Sequence, residues 1–221
     1  MSALAAVLEK DLLLVWRSRA RAVAVLAFGA TALLLFSFAA GPDTRVLRQN
    51  AGGYLWLAML LSSTLSLSET FRAETEQRAL EGLLLLPANP RTLYFGKAVA
   101  NWLQLAILGI GLLPVLIVLY DASPERPLAL AGIILLGTAA LSAPGTLHAA
   151  LASQVEGGAV LLPLLLLPLV VPVLLAAVKA STLVMNGDPM GQAGAWTLLL
   201  VAFNGIFWPL CALLFSRVVD E

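Results

Sequence analysis

Residues 98–120, AVANWLQLAILGIGLLPVLIVLY, run for 23 residues without an Asp, Glu, Lys or Arg. A helix rises about 1.5 Å per residue and the bilayer hydrocarbon is about 30 Å thick, so about 20 such residues complete one crossing. Five further charge-free runs are as long as that: 22–42, 49–68, 127–155, 157–178 and 189–216. None is long enough for two crossings. A spanning β-strand would be about 10 residues long and alternate apolar with polar side chains, a period that Leu83–Leu86 and Leu164–Leu167 lack. Cutting the runs at their flanking charges predicts an all-α integral membrane protein. It has six transmembrane helices, at about 22–41, 49–68, 98–120, 128–155, 157–178 and 192–216, in a single domain over 1–221.

Composition supports the same class. Hydrophobic residues make up 60% of the 221 and charged ones only 12%, where soluble domains carry about 25% charge; mean hydropathy is +0.93. The 13 Lys and Arg balance 13 Asp and Glu, leaving no basic excess to neutralise nucleic-acid phosphates. One cysteine, Cys211, excludes an intrachain disulfide, and one histidine, His148, excludes a His-rich metal cluster. No phosphate-binding G-x-x-x-x-G-K-[ST] loop, H-E-x-x-H or Ser-His-Asp set is present. We therefore assign no catalytic residue and no metal site. The six runs also lack the ionisable groups that ion-coupled carriers hold near the midplane, so energy for any work must come from another chain.

Basic residues set the orientation. Lys10, Arg17, Arg19, Arg21, Arg72, Arg78, Arg91, Lys97 and Arg217 fall on one face, against Arg45, Arg48, Arg126 and Lys179 on the other. The positive-inside rule then places both termini in the cytoplasm, and the first run is expected to insert as an uncleaved anchor. In the arm over 1–20, Leu4, Leu8, Leu12, Val15 and Trp16 share one helical side while Lys10 and Arg17 share the other. That pattern predicts an interfacial helix with Trp16 at headgroup depth and Lys10 and Arg17 reaching lipid phosphates. The alternative is a continuous extension of the first span.

The connection over 69–97 is the longest polar stretch. Glu74 and Arg78 form an i,i+4 pair, Leu80, Leu83 and Leu84 line an apolar stripe, and Pro87 and Pro90 stop the pattern. A short amphipathic helix fixed to two spans is a mechanical handle for a cytoplasmic partner; an ordinary solvated connector is the other reading. Pro163, Pro168 and Pro172 are expected to bend or interrupt the fifth span, and Pro144-Gly145 the fourth. They serve either as a flexing element or as kinks for packing. The 185–194 segment, with Asn186-Gly187-Asp188-Pro189, is read as including a short re-entrant or interfacial piece. Asn204, mid-span, is expected to bond to another helix.

Several residues then carry a family resemblance: Gly41-Pro42-Asp43, Trp56, Phe71-Arg72, Leu80-Glu81, Leu83–Pro87, Lys97 with Asn101-Trp102, Leu135-Leu136-Gly137-Thr138, Gly157-Gly158 and Leu166–Pro172. In their order and spacing, over nearly the whole length, the chain resembles the haem exporter protein B family, the permease subunits of the ABC-type system for cytochrome c maturation. Gln77-Arg78 and Val155-Glu156 depart from the family's usual pattern.

The resemblance implies an ABC exporter permease in the bacterial inner membrane. It would pair with a cytoplasmic ABC ATPase, a haem-handling membrane subunit, a small single-span subunit and a periplasmic haem chaperone. ATP would sit on the ATPase and haem on the partner subunits, with no cofactor on this chain, and hydrolysis would be linked to release of the haem-loaded chaperone. In the exporter class the loop between spans 2 and 3 is the coupling helix, which assigns Arg72, Glu74, Arg78 and Glu81 to polar docking and Leu80, Leu83 and Leu84 to packing. The same class implies two permease copies with two ATPases. His148 is read as hydrogen-bonded between helices, and no stoichiometric haem is expected on the isolated subunit. The alternatives are an ABC exporter for lipid, polysaccharide or drug, and a non-transporting scaffold that only recruits the ATPase.

Overall fold

The computed structural model describes residues 19–76, 90–153 and 161–220. They form six helices: α1 (Arg19–Ala40), α2 (Thr44–Glu76), α3 (Pro90–Tyr120), α4 (Pro127–Ser153), α5 (Leu161–Asn186) and α6 (Ala193–Asp220). All except α2 are long and apolar enough to cross a membrane. Helix α2 is longer than any of them, at 33 residues, but it is interrupted chemically by Gly52, Gly53, Ser62, Ser63, Thr64, Ser66 and Ser68. The hydroxyls of Ser63, Thr64 and Ser68 each donate to the carbonyl three residues back, at 2.8 Å, and so are satisfied within the helix.

Helix α4 is the hub. It packs against α2, α3, α5 and α6, while α1 lies outside, against α2 and α3. Two thirds of its apolar span (67%) is buried, against 22% for α1 and for α6. Small side chains allow this: Gly137, Thr138, Ala140, Ser142, Ala143, Gly145 and Thr146 bring neighbouring helices close to its axis.

The connections over 41–43, 121–126 and 187–192 gather at one end, as alternation of the helices requires. Asp43 caps α2 by accepting from the Arg45 amide at 2.9 Å. The Arg48 guanidinium pairs with Asp121, and the Asn186 carboxamide donates to the Arg48 carbonyl at 3.3 Å. Asp188 caps α6, accepting from the amides of Gln192 and Ala193, each at 2.8 Å. The Ala193 bond is the main reason that its carboxyl is held below the usual range. Stability from this charged cap is therefore full above the ordinary carboxylate pKa of about 4 and is lost as pH falls through the lowered folded value. Asp188→Asn, which caps without titrating, should flatten the acid limb of melting temperature against pH in detergent. Asp188→Ala should lower the melting temperature at neutral pH.

Helix ends differ from the charge-to-charge boundaries. Helix α2 begins before Gln49 and takes in Arg45 and Arg48, α3 begins at Pro90 and takes in Arg91 and Lys97, and α5 passes through Lys179 to Asn186. Arg45, Arg48, Arg91 and Lys179 are exposed and reach outward while their backbone stays helical, whereas Lys97 is buried, so charge marks an end only approximately. The segment 185–194 holds no re-entrant helix: a tight connection, with Gly187 at φ 95° and Gly191 at φ 65°, joins α5 directly to α6. Pro144, Pro168 and Pro172 lie inside unbroken helices. Pro163 sits in the first turn of α5, where no amide donor is needed. The arm residues Lys10, Trp16 and Arg17 lie outside the described residues.

Candidate functional site

The proposed handle is flanked by two rods. Helix α2 continues past Ser68 through the positions of Arg72 and Glu74 to Glu76, and α3 starts at Pro90, a residue suited to a first turn. Arg78, Leu80, Glu81, Leu83 and Leu84 lie outside the described residues.

Immediately beyond the handle, α3 is fastened to the hub by four hydrogen bonds. Tyr94 donates its hydroxyl to the Ala143 carbonyl at 2.9 Å. Ser142 donates to the Ala98 carbonyl at 2.6 Å. The Asn101 carboxamide donates to Thr146 Oγ1 at 2.9 Å, whose own hydroxyl donates to the Ser142 carbonyl at 2.8 Å. The Trp102 indole donates to the Leu135 carbonyl at 2.9 Å. Lys97, on the α3 face shared by Tyr94 and Asn101, is only 2% exposed. Charge was expected to punctuate the connection there, yet this cation lies inside the bundle.

Pro144 and Gly145 are gripped in this seam. Pro144 offers no amide to the Ala140 carbonyl, and its own carbonyl is bonded to His148 Nδ1 at 2.7 Å. His148 thus bonds within α4 and not to another helix as expected, because the carbonyl four residues back is the nearest acceptor. A Cβ on Gly145 would lie 2.4 Å from Leu67 Cδ1, so α2 also presses here. The residues that join the start of α3 to the hub are therefore Tyr94, Asn101, Trp102, Ser142 and Thr146, of which the sequence singled out Asn101 and Trp102 for the family resemblance and none as a site. A signal was present: Thr138, Ser142 and Thr146 recur every four residues along α4, all fully buried. Tyr94→Phe and Asn101→Leu should each cost about 1 kcal/mol of stability, read as a lowered melting temperature of the solubilised protein.

Two other seams close the hub. The Trp56 indole donates to Ser181 Oγ at 2.9 Å and joins α2 to α5; its ring lies against Gly137, where a Cβ would stand 2.1 Å from Cη2. Asn204 donates to the Leu136 carbonyl at 3.0 Å, the expected bond to another helix, and accepts from the Trp208 indole at 3.0 Å. Among the described residues no three His, Cys, Asp or Glu side chains converge on a metal position.

Alternating apolar helices closed around a hub with hydrogen-bonded seams define a multi-pass helical membrane protein. The chain belongs to the CcmB protein family, which it matches over residues 2–215. It is 35% identical over 200 residues to heme exporter protein B of Bradyrhizobium diazoefficiens, covering 90% of this chain and 89% of that one. It is 34% identical over 197 residues to heme exporter protein B of Pseudomonas aeruginosa, covering 88% and 87%. To heme exporter protein B of Escherichia coli K12 it is 32% identical over 181 residues, covering 77% of each. Residues that carry the resemblance in sequence, Trp56, Asn101, Trp102 and Gly137, are the ones that meet in the α2–α4 and α3–α4 seams.

Proposed function

We propose that this chain is the membrane permease subunit of an ABC-type haem export system for cytochrome c maturation, and that it transmits motion from a separate cytoplasmic ATPase. The observation that supports this is the family match over residues 2–215. Helix α2 crosses the membrane with the other five. Its Gly and Ser positions are enclosed by α1, α3, α4 and α5, which supports a crossing that its own hydropathy would not favour. The excess of Lys and Arg at the handle end supports cytoplasmic termini in a bacterial inner membrane.

The ATPase docks on the connection over 69–97 through Arg72, Glu74, Arg78 and Glu81, with Leu80, Leu83 and Leu84 packed beneath. Its closure tilts α2 and α3. Helix α3 carries α4 with it through the Tyr94, Asn101, Trp102 and Ser142 bonds, and α4 passes the motion to α5 and α6. The carbonyls left without donors by Pro144, Pro168 and Pro172 ease bending in α4 and α5. This chain is non-catalytic and holds no cofactor. ATP belongs to the ATPase and haem to a haem-handling membrane subunit, a small single-span subunit and a periplasmic haem chaperone, with two permease copies per complex.

Affinity purification of the tagged protein in mild detergent, with mass spectrometry and an absorbance spectrum, tests this reading. Recovery of an ATPase with a haem-handling membrane subunit is expected, and no Soret band once this chain is isolated. An ATPase without haem proteins would replace the reading with a general exporter. A strong Soret band on the isolated chain would overturn the placement of haem on partners.

A further inference from the structure

The outer face of the α1–α3 contact carries two hollows. One hollow of about 230 Å³ is lined by Val23 and Leu26 of α1, Ser66 of α2, and Gln104, Ile107 and Gly111 of α3. A second, more open, follows one turn further along, between Ala30 and Leu34 of α1 and Pro114 and Val118 of α3. Leu26, which also lines the first hollow, packs over Gly111 of α3. The seam opens outward, since Val23, Ile107 and Val118 are 63%, 68% and 82% exposed.

Its polar groups lack partners among the described residues. Ser62 Oγ is fully buried and makes no hydrogen bond among the described residues; it points at Gly29 of α1, where a Cβ would lie 2.8 Å away. One turn along α2, Ser66 is 7% exposed and lines the first hollow with the Gln104 carboxamide. Neither Ser66 Oγ nor the Gln104 carboxamide bonds to another described residue. Polar groups at membrane depth without partners are costly, and here they sit at one end of an apolar channel. From Val23 to Leu34 the groove spans about 16 Å of helix rise, close to one leaflet, half of the hydrocarbon thickness of about 30 Å.

The geometry points to a phospholipid-binding groove: one bilayer phospholipid lays an acyl chain along the α1–α3 seam and presents its ester oxygens to the hydroxyl of Ser66 and the amide of Gln104. The polar end of the groove is the end at which α1 starts, where a headgroup would reach the interface. The inference rests on α1 and α3 lying in a membrane and not on what the complex exports.

Native mass spectrometry of the detergent-purified protein tests it. The wild type should keep one phospholipid per chain at collision energies that strip loosely held lipid, and the delipidated protein should take up added phosphatidylglycerol. Ser66→Ala with Gln104→Leu removes the donors, and Ala30→Phe fills the second hollow; each should reduce retention at least five-fold. Leu198→Phe, on the exposed face of α6, should not. Removing polar groups from the membrane interior does not threaten insertion, so folding is preserved in the first variant. A wild type that carries no phospholipid, or variants that retain it as the wild type does, would overturn the proposal.

Discussion

Gly137→Ala should be among the most damaging single substitutions in the chain, lowering stability by about 3 kcal/mol, the upper part of the overpacking range. The added Cβ would lie 2.1, 2.8 and 2.9 Å from three atoms of the Trp56 ring. That ring cannot swing away freely, because its indole is bonded to Ser181 and it is 1% exposed. The strain therefore passes into the α2–α4 and α2–α5 contacts at once. Thermal melting by fluorescence-detected gel filtration should show a large drop for Gly137→Ala. Adding Trp56→Leu, which clears the space, should recover part of it, the sign of direct coupling between neighbours. An alanine variant as stable as the wild type would show that the two helices do not approach this closely.

Reversing charge at both ends of the handle, Arg72→Glu with Glu81→Arg, should reduce recovery of the ATPase on tagged protein at least ten-fold. An exposed pair is worth about 0.2–1 kcal/mol, and reversal replaces attraction with repulsion of similar size. Two reversals therefore amount to about 2 kcal/mol, which exceeds the 1.4 kcal/mol of a tenfold change in affinity. Arg48→Glu is the control, since it lies at the opposite end of the bundle, paired with Asp121. Unchanged recovery would remove these two residues from the docking surface.

The order of the six helices among the described residues was legible because the six charge-free runs each report a local property, the length of chain that avoids charge. Helix ends were less so, since Arg45, Lys97 and Lys179 are charged yet helical. Lys97 shows why: hydropathy weighs a residue without knowing what faces it. The central place of α4 was not legible for the same reason, as α5 and α6 are more apolar and of similar length. What distinguishes α4 is the distribution of small and hydroxyl residues, and that becomes meaningful only beside Trp56, Tyr94 and Leu67. The α3–α4 seam was not legible, because it depends on side chains about 45 residues apart in sequence, Asn101 and Thr146, while the amphipathic pattern read as a handle falls largely on residues outside those described.

The late position of the hub in the chain has a consequence for biogenesis. Membrane helices leave the translocation machinery in order of synthesis, so α2, crossing the membrane as proposed above, emerges before α4 and α5 have been released. At that stage the Trp56 indole has no Ser181 to bond, and the surface that later receives α4 faces lipid or the machinery itself. A nascent chain cut between α3 and α4 should hold α2 poorly, and one extended beyond Ser181 should hold it firmly. Quality-control proteases that sample unassembled membrane segments would then find α2 first, and the release of α4 would set how long that exposure lasts.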